Sequence, residues 1–341
     1  MKYILDRKAL ICSAIRYSEY ASLYYPLKSN NDPIVIKALD PYIAGYEVAT
    51  FAHIKLLIKT HGIVPSRILY SSPIKSKRQI KEALKLGISR FVVDNLEEVK
   101  IICELSHTKI EFIVRLDVTD FINTDYILKW GASLNYSIKI IEYIKQQQQC
   151  FKGVSFYLPQ EICNLENFQT MVELIDNYYS EYNFEVLDIG GGATHQMVAE
   201  ICTTIKYQLK MDNINIWIEP GRHLLDPNIS MSVNIIDIRE RGVNKLLFID
   251  SGIYSGLLDA IIKGKKFKII AEREMDAEEL TALYMVCGDS PDIIDVLGEY
   301  ELPMNLKVGD KLVILECGAY CSVLETNFCN KKRASYYIAD S

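Results

Sequence analysis

The chain has 341 residues, 49% of them hydrophobic and 24% charged, with a formal net charge of −6. That length allows one large domain and a smaller one, and the negative balance, without a basic stripe at helical spacing, gives no reason to expect nucleic acid. No apolar run approaches the roughly 20 residues that span a bilayer, and residues 1–10, charged at Lys2, Asp6, Arg7 and Lys8, lack a secretion signal's apolar core.

Nine cysteines, none in a C-x-x-C and most within apolar runs, point to reduced core thiols in a cytoplasmic protein. Along the chain, residues 3–6 read as a lone strand. Strand-like apolar runs then recur at 23–29, 46–50, 67–72, 91–94, 110–118, 153–158, 184–190 and 214–219. They are nearly continuous rather than alternating, as in strands buried on both faces. Segments with helical spacing lie between them: Ile54, Leu57 and Ile58, then Ile80 and Leu84, then Val99 and Ile102, then Met171, Leu174 and Ile175, then Val198, Ile201 and Ile205. Eight strands alternating with helices have the proportions of a (β/α)8 TIM-type barrel. A doubly wound open sheet fits the same periodicity.

After Arg222 the rhythm changes. Runs at 229–238, 245–249, 266–270, 283–287 and 311–315 look like strands with short connections, which marks a C-terminal mostly-β domain. The expected division is a barrel over 8–228, with 1–7 and 229–341 forming the β domain.

Polar residues gather where the barrel strands should end. Lys28-Ser29-Asn30 follows the first, Arg115 lies on the fifth, Asp188-Ile189-Gly190-Gly191-Gly192 follows the seventh, and Glu219-Pro220-Gly221-Arg222 closes the eighth. A lysine buried there would lose solvation and become a better nucleophile toward an aldehyde, although a surface lysine just beyond the strand is equally ordinary. Three glycines can turn backbone N–H groups onto a phosphate or simply form a permissive turn. Glu219 could face a ring nitrogen or pair with Arg222. Together, an amine, a phosphate cradle and a carboxylate are what pyridoxal 5′-phosphate asks of a protein.

The motifs carry a family resemblance. Tyr25-Pro26-Leu27-Lys28-Ser29-Asn30 resembles Y-A-V-K-A-N, Tyr46-Glu47-Val48-Ala49-Thr50 is similar to F-D-V-A-S, and Ser72-Pro73-Ile74-Lys75 to N-P-x-K. Leu187 to Gly192 matches L-D-I-G-G-G and Glu219 to Arg222 matches E-P-G-R. Cys287-Gly288 through Asp292 and Asp295 resembles C-G-P-x-C-[DE]-x-x-D, Gly318-Ala319-Tyr320 matches G-A-Y, and Asn327-Phe328 is similar to the N-Y beyond it. In this order the motifs resemble the fold-type III pyridoxal-phosphate decarboxylases, which include the ornithine and diaminopimelate decarboxylases.

The resemblance implies a role for each matching position. Lys28 would hold the cofactor as a Schiff base and Glu219 would keep its ring nitrogen protonated. Gly190, Gly191, Gly192, Gly221 and Arg222 would hold the phosphate with Tyr320 beside it, and Glu47 and Arg115 would support the lysine and the ring face. Asp292 would receive the substrate's distal amine in the partner's site of a homodimer. The chain also departs from the family. Tyr157 stands at the usual ring-stacking histidine and Gln160 at a phosphate-contacting serine. Pro291 replaces the reactive cysteine, and His53 an expected glutamate. The substrate implied is a diamino acid, or an amino-acid moiety on a larger conjugate such as a siderophore, polyamine or peptide-nucleotide antibiotic precursor. A non-catalytic cofactor-binding homologue and an amino-acid racemase are the alternatives.

Overall fold

The computed structural model describes residues 1–119, 122, 129–159, 162–208, 214–242, 244–273 and 280–339. By compactness the chain divides into two units. One comprises Met1–Ser13, Lys28–Leu39 and Leu224–Ser341, and the other Ala14–Leu27 and Asp40–His223. This division sets Lys28–Leu39 with the C-terminal unit, whereas the sequence-based boundaries place those residues in the barrel.

Strand β1 (Lys2–Asp6) opens the chain. The second unit is then a closed parallel barrel of β2 (Ser22–Pro26), β3 (Gly45–Val48), β4 (Ile68–Tyr70), β5 (Arg90–Val93), β6 (Glu111–Arg115), β7 (Cys150–Ser155), β8 (Val186–Asp188) and β9 (Asn215–Ile218). All eight expected runs are present, and closure, with β2 pairing β9 through Ser22↔Trp217 and Leu23↔Ile218, excludes the open sheet. Six of the eight ladders are shorter than their apolar runs, whereas β5 and β7 match theirs in length but begin and end earlier in the chain.

The barrel interior is layered. Tyr24, Leu69, Val92, Ile113, Val186 and Trp217 form one buried cluster, with the Tyr24 and Trp217 rings stacked at 4.1 Å. Each such side chain withdrawn from water contributes roughly 1.5–3 kcal/mol. Toward the N-terminal ends of the strands, Arg90 donates to the Tyr24 hydroxyl at 3.1 Å and pairs with Glu111. Lys152 pairs with Glu185 at 2.7 Å. On the outside, capped helices follow the strands. Ser76 and Gln79 form a reciprocal capping box for the helix Lys77–Lys85, and Asn95 caps Leu96–Leu105 through the Glu97 amide.

The first unit is a β-sheet of strands β10 (Ile229–Arg241), β11 (Asn244–Ile249), β12 (Ile269–Ala271), β13 (Thr281–Cys287), β14 (Val296–Pro303), β15 (Lys311–Ile314) and β16 (Ser335–Ala339). Their order is β12-β15-β10-β11-β13-β14, and β1 crosses to lie between β10 and β16. The strand β10 serves both halves by bulging between Ile235 and Asp237. Two of these strands have no counterpart among the expected runs, β14 and β16.

The cysteines correct another expectation. All nine are free, but only Cys287, Cys317 and Cys321 are buried, and Cys12 and Cys329 are exposed. Among the described residues no helix is long and apolar enough to cross a membrane.

Candidate active site

Side chains on a strand alternate between faces, so the residue two beyond an inward-facing one faces inward again. Starting from the apolar cluster, that step leads from Val92 to Asp94, from Ile113 to Arg115, from Val186 to Asp188 and from Trp217 to Glu219. Gly45, opposite Tyr24, leads to Glu47, and Leu69 leads to Ser71. Above the hydrophobic layer, at the C-terminal ends of the strands, the barrel therefore carries a layer of charge. Arg115, Ser155 and Asp188 share one register row.

Asp188 sits at the centre of that layer. It is buried, and burial pushes its carboxyl up to about 6, against a hydrogen bond with Glu219 and the Gly190 amide at 2.9 Å. Glu47 raises it further and Arg115 lowers it, so these four ionisable groups lie within reach of one another's charge. Glu47, itself buried, accepts from the Ser71 hydroxyl.

The glycine run beside Asp188 has no room for side chains. A Cβ on Gly190 would lie 2.7 Å from the Phe156 carbonyl oxygen, and one on Gly191 2.6 Å from that of Glu219. Gly190 and Gly192 adopt φ of 66° and 102°, which only glycine takes easily. The Glu219 amide donates to Gly190 O at 2.8 Å, locking the run to the last strand. Among the described residues the Gly191 and Gly192 amides make no hydrogen bond, and the helix His195–Gln208 begins just beyond. Free amides followed by a helix N-terminus suit a phosphate. Carboxyls at the ends of the last two barrel strands, that of Asp188 buried, suit a protonated ring nitrogen. The residues fit pyridoxal phosphate.

Tyr157 follows β7 and is 41% exposed, with Cδ2 of its ring 3.6 Å from where a Gly190 Cβ would be. Gly221 is buried, Arg222 starts the short helix Arg222–Leu225, and Arg222 and Glu219 are part-exposed. Gln160 lies outside the described residues. His53 donates its backbone N–H to Thr50 Oγ1, the cap of the helix Phe51–Lys55, so it serves the fold at that point.

The other unit holds the remaining residues. Lys28 is exposed, not buried as the strand-end reading expects. It falls in the turn beyond β2, which ends at Pro26. Its neighbours Ser29 and Asn30 are fully buried, and Ser29 O accepts from the Tyr320 amide at 2.8 Å. Asp292 lies in the loop before β14. Its Oδ2 accepts from the Tyr254 hydroxyl at 2.5 Å and its Oδ1 from the Ile294 amide at 3.2 Å. Pro291 is exposed and Cys287 buried. Sequence reasoning placed Asp188 at a strand end without giving it a role, and it missed Ser71, although the two-residue step from Val186 and Leu69 marks both as members of the charged layer. It also missed Tyr254, for which no local signal exists.

Residues 9–226 match the family described as "Pyridoxal-dependent decarboxylase, pyridoxal binding domain". The chain is 26% identical to the diaminopimelate decarboxylase of Staphylococcus aureus over 305 residues, 81% of this chain and 72% of that one. It is 24% identical to the ornithine decarboxylase of Schizosaccharomyces pombe over 338 residues, 93% of this chain and 78% of that one. The arginine decarboxylase of Paramecium bursaria Chlorella virus shares the fold, with a TM-score of 0.89 and 24% identity over 99% of this chain and 97% of that one. The chain therefore belongs to the fold-type III pyridoxal-phosphate-dependent decarboxylases, a carboxy-lyase with pyridoxal phosphate as its cofactor.

Proposed function

We propose that the protein decarboxylates an amino acid carrying a second, distal cationic group, with Lys28 holding the cofactor. The observation that supports this substrate class is the Asp292 carboxylate. The Tyr254 hydrogen bond, then the Ile294 amide, hold its pKa below the ordinary carboxylate value. A carboxylate kept ionised in this way is a receptor for an ammonium or guanidinium.

Bound pyridoxal phosphate supplies an aldehyde for the substrate amine and a ring that accepts the electron pair of the breaking Cα–carboxylate bond. The protein's own groups do the rest. Lys28 Nζ would hold the cofactor's aldehyde carbon. Glu219 holds the proton at the ring nitrogen, with Asp188 behind it, Glu47 alongside and Arg115 balancing the negative charge. Gly190, Gly191, Gly192, Gly221 and Arg222 would bind the phosphate, and by the family motif Tyr157 and Tyr320 would also contact the cofactor. Keeping that proton in place lowers the barrier through charge developing on the ring.

A homodimer in which Asp292 serves the partner's site, working in the cytoplasm, completes the proposal. The half-buried Asp292, held among exposed Ile293 and Ile294, supports the first part, and nine free thiols support the second. Carbon dioxide release from ornithine, lysine, arginine, diaminopimelate and neutral amino acids tests the substrate class. Turnover confined to neutral amino acids would refute it, and turnover of an aminocarboxyalkyl conjugate alone would move the reading to larger metabolites. Sedimentation, with recovery of activity on mixing Lys28→Ala and Asp292→Ala proteins, tests the shared site.

A further inference from the structure

The residues that follow Lys28 are tied to parts of the chain far away in sequence. Ser29 O accepts from the Tyr320 amide at 2.8 Å. Asn30 uses both hydrogens of its side-chain amide, donating to Gly318 O at 2.8 Å and to the Tyr336 hydroxyl at 2.7 Å. Its Oδ1 accepts from the Asp32 amide at 3.0 Å. The acceptor Tyr336 lies on β16, and its hydroxyl donates onward to Ser322 Oγ at 3.0 Å. Its ring stacks on Tyr3 with centroids 4.8 Å apart and planes 21° from parallel. Tyr3 and Tyr336 are register partners in the β1–β16 ladder.

The chemistry of this chain of bonds is specific. Burial holds the Tyr336 phenol far above its ordinary pKa, so it remains a neutral hydroxyl that can accept from Asn30 while donating to Ser322. A buried amide with both hydrogens bonded has one orientation, and losing one acceptor leaves an N–H that must turn elsewhere or stay unsatisfied. Asn30 is two residues from Lys28. Its side chain ties that short turn to β16, so losing a bond there loosens the turn, and a reacting group displaced by about 1 Å loses effectiveness.

We propose that Tyr336 is a positioning residue for the cofactor lysine, acting through Asn30. The last strand of the β unit thereby fixes the turn from which Lys28 extends. This rests on the reading of Lys28 as the cofactor's attachment point. The Tyr3–Tyr336 stack alone would be a packing contact, and the hydroxyl is what separates the two roles.

The test is Tyr336→Phe in the holoenzyme, which keeps the ring on Tyr3 and removes only the hydroxyl. The expected result is release of pyridoxal phosphate about tenfold faster than from wild type, with a displaced pH midpoint for the cofactor's visible band. The cofactor-free protein should melt within about 4 °C of wild type. Asn30→Ala should reproduce the faster release, and the double variant should be no worse than either single one. Wild-type release and titration in Tyr336→Phe would overturn the proposal, whatever the melting temperature does. Additive defects in the double variant would also overturn it, because Tyr336 would then not act through Asn30. If Tyr336→Phe does not fold, Ser322→Ala removes the partner that orients the hydroxyl, and unchanged release there contradicts the proposal equally. Failure of the underlying reading would be visible in wild type itself, as reductive trapping of the cofactor on a lysine other than Lys28.

Discussion

The Tyr254 hydroxyl donates to Asp292 Oδ2 at 2.5 Å, while the Tyr254 ring lies against Phe328 with centroids 4.5 Å apart. Thr326 fastens the other end, its amide donating to Tyr254 O at 2.9 Å. The carboxylate is thus aimed by a braced phenol. Asp292→Asn should raise KM for a diamino substrate by at least about tenfold, the order expected for a lost charge-assisted hydrogen bond. Tyr254→Phe should raise it less, because the charge remains. Steady-state kinetics with diamino and neutral substrates would show this. An equal effect on both substrates would remove Asp292 from recognition of the distal group.

Glu219 and Asp188 share a hydrogen bond at the barrel's charged end. Glu219→Gln cannot hold the ring nitrogen's proton as a carboxylate does, so kcat should fall by several orders of magnitude, on the order of 10³-fold. Cofactor content, measured by absorbance, should remain near wild type because the glycine run is untouched. Normal turnover in this variant would refute the electron-withdrawing role.

Asp188 also makes stability depend on pH. Its folded pKa, pushed up to about 6 by burial from an ordinary 3.8, means that the folded state keeps its proton where the unfolded chain has lost it. The associated stability is fully present below the ordinary value and disappears as pH rises through about 6. In cofactor-free protein, Asp188→Asn should therefore gain relative to wild type between pH 4 and pH 7.5, by up to about 3 kcal/mol. Urea denaturation at the two pH values measures the difference, in which the other carboxylates largely cancel. A relative loss on going to pH 7.5 would mean that Asp188 is stabilised as an anion.

Lys75 and Glu98 form a buried pair at 3.1 Å, with Lys75 Nζ also donating to Val92 O at 2.8 Å. Burial lowers the lysine's pKa and raises the glutamate's, in each case against the partner's opposite charge. Lys75→Met should destabilise by about 3–5 kcal/mol at pH 7.5, where Glu98 is left charged and unpaired. The loss should be smaller at pH 5, because lower pH favours the neutral form of a carboxyl whose pKa burial already raises. Replacing both with apolar residues should recover most of it. Equal losses at the two pH values would show that the pair's charge is not what matters.

The barrel was legible because strands buried on both faces write themselves as apolar runs, and eight such runs between helical segments leave few architectures. Their ends were not legible. Residues 23–29 read as one run, yet the ladder stops at Pro26, because Ser29 O is claimed by the Tyr320 amide, an interaction across almost the whole sequence. The strand β14 escaped notice because Gly298, at φ 111°, and two glutamates interrupt its hydrophobicity. The strand β16 is short, and its partner β1 lies at the opposite end of the chain. Lys28, Glu219 and the glycines stand out in the sequence through their motifs, but the exposure of Lys28 does not, since it depends on where the ladder ends. Asp188 could have been read from the two-residue step. Tyr254 could not, because only the packing of two loops brings it to Asp292.

The central claim is that Lys28, and no other lysine, carries the cofactor. Borohydride reduction of the protein reconstituted with pyridoxal phosphate, followed by peptide mass spectrometry, tests it directly. One phosphopyridoxyl label is expected, on the peptide containing Lys28, with no visible band or label in Lys28→Ala protein that is otherwise folded by circular dichroism. A label on another lysine, or wild-type protein that stays colourless in excess cofactor, would contradict it.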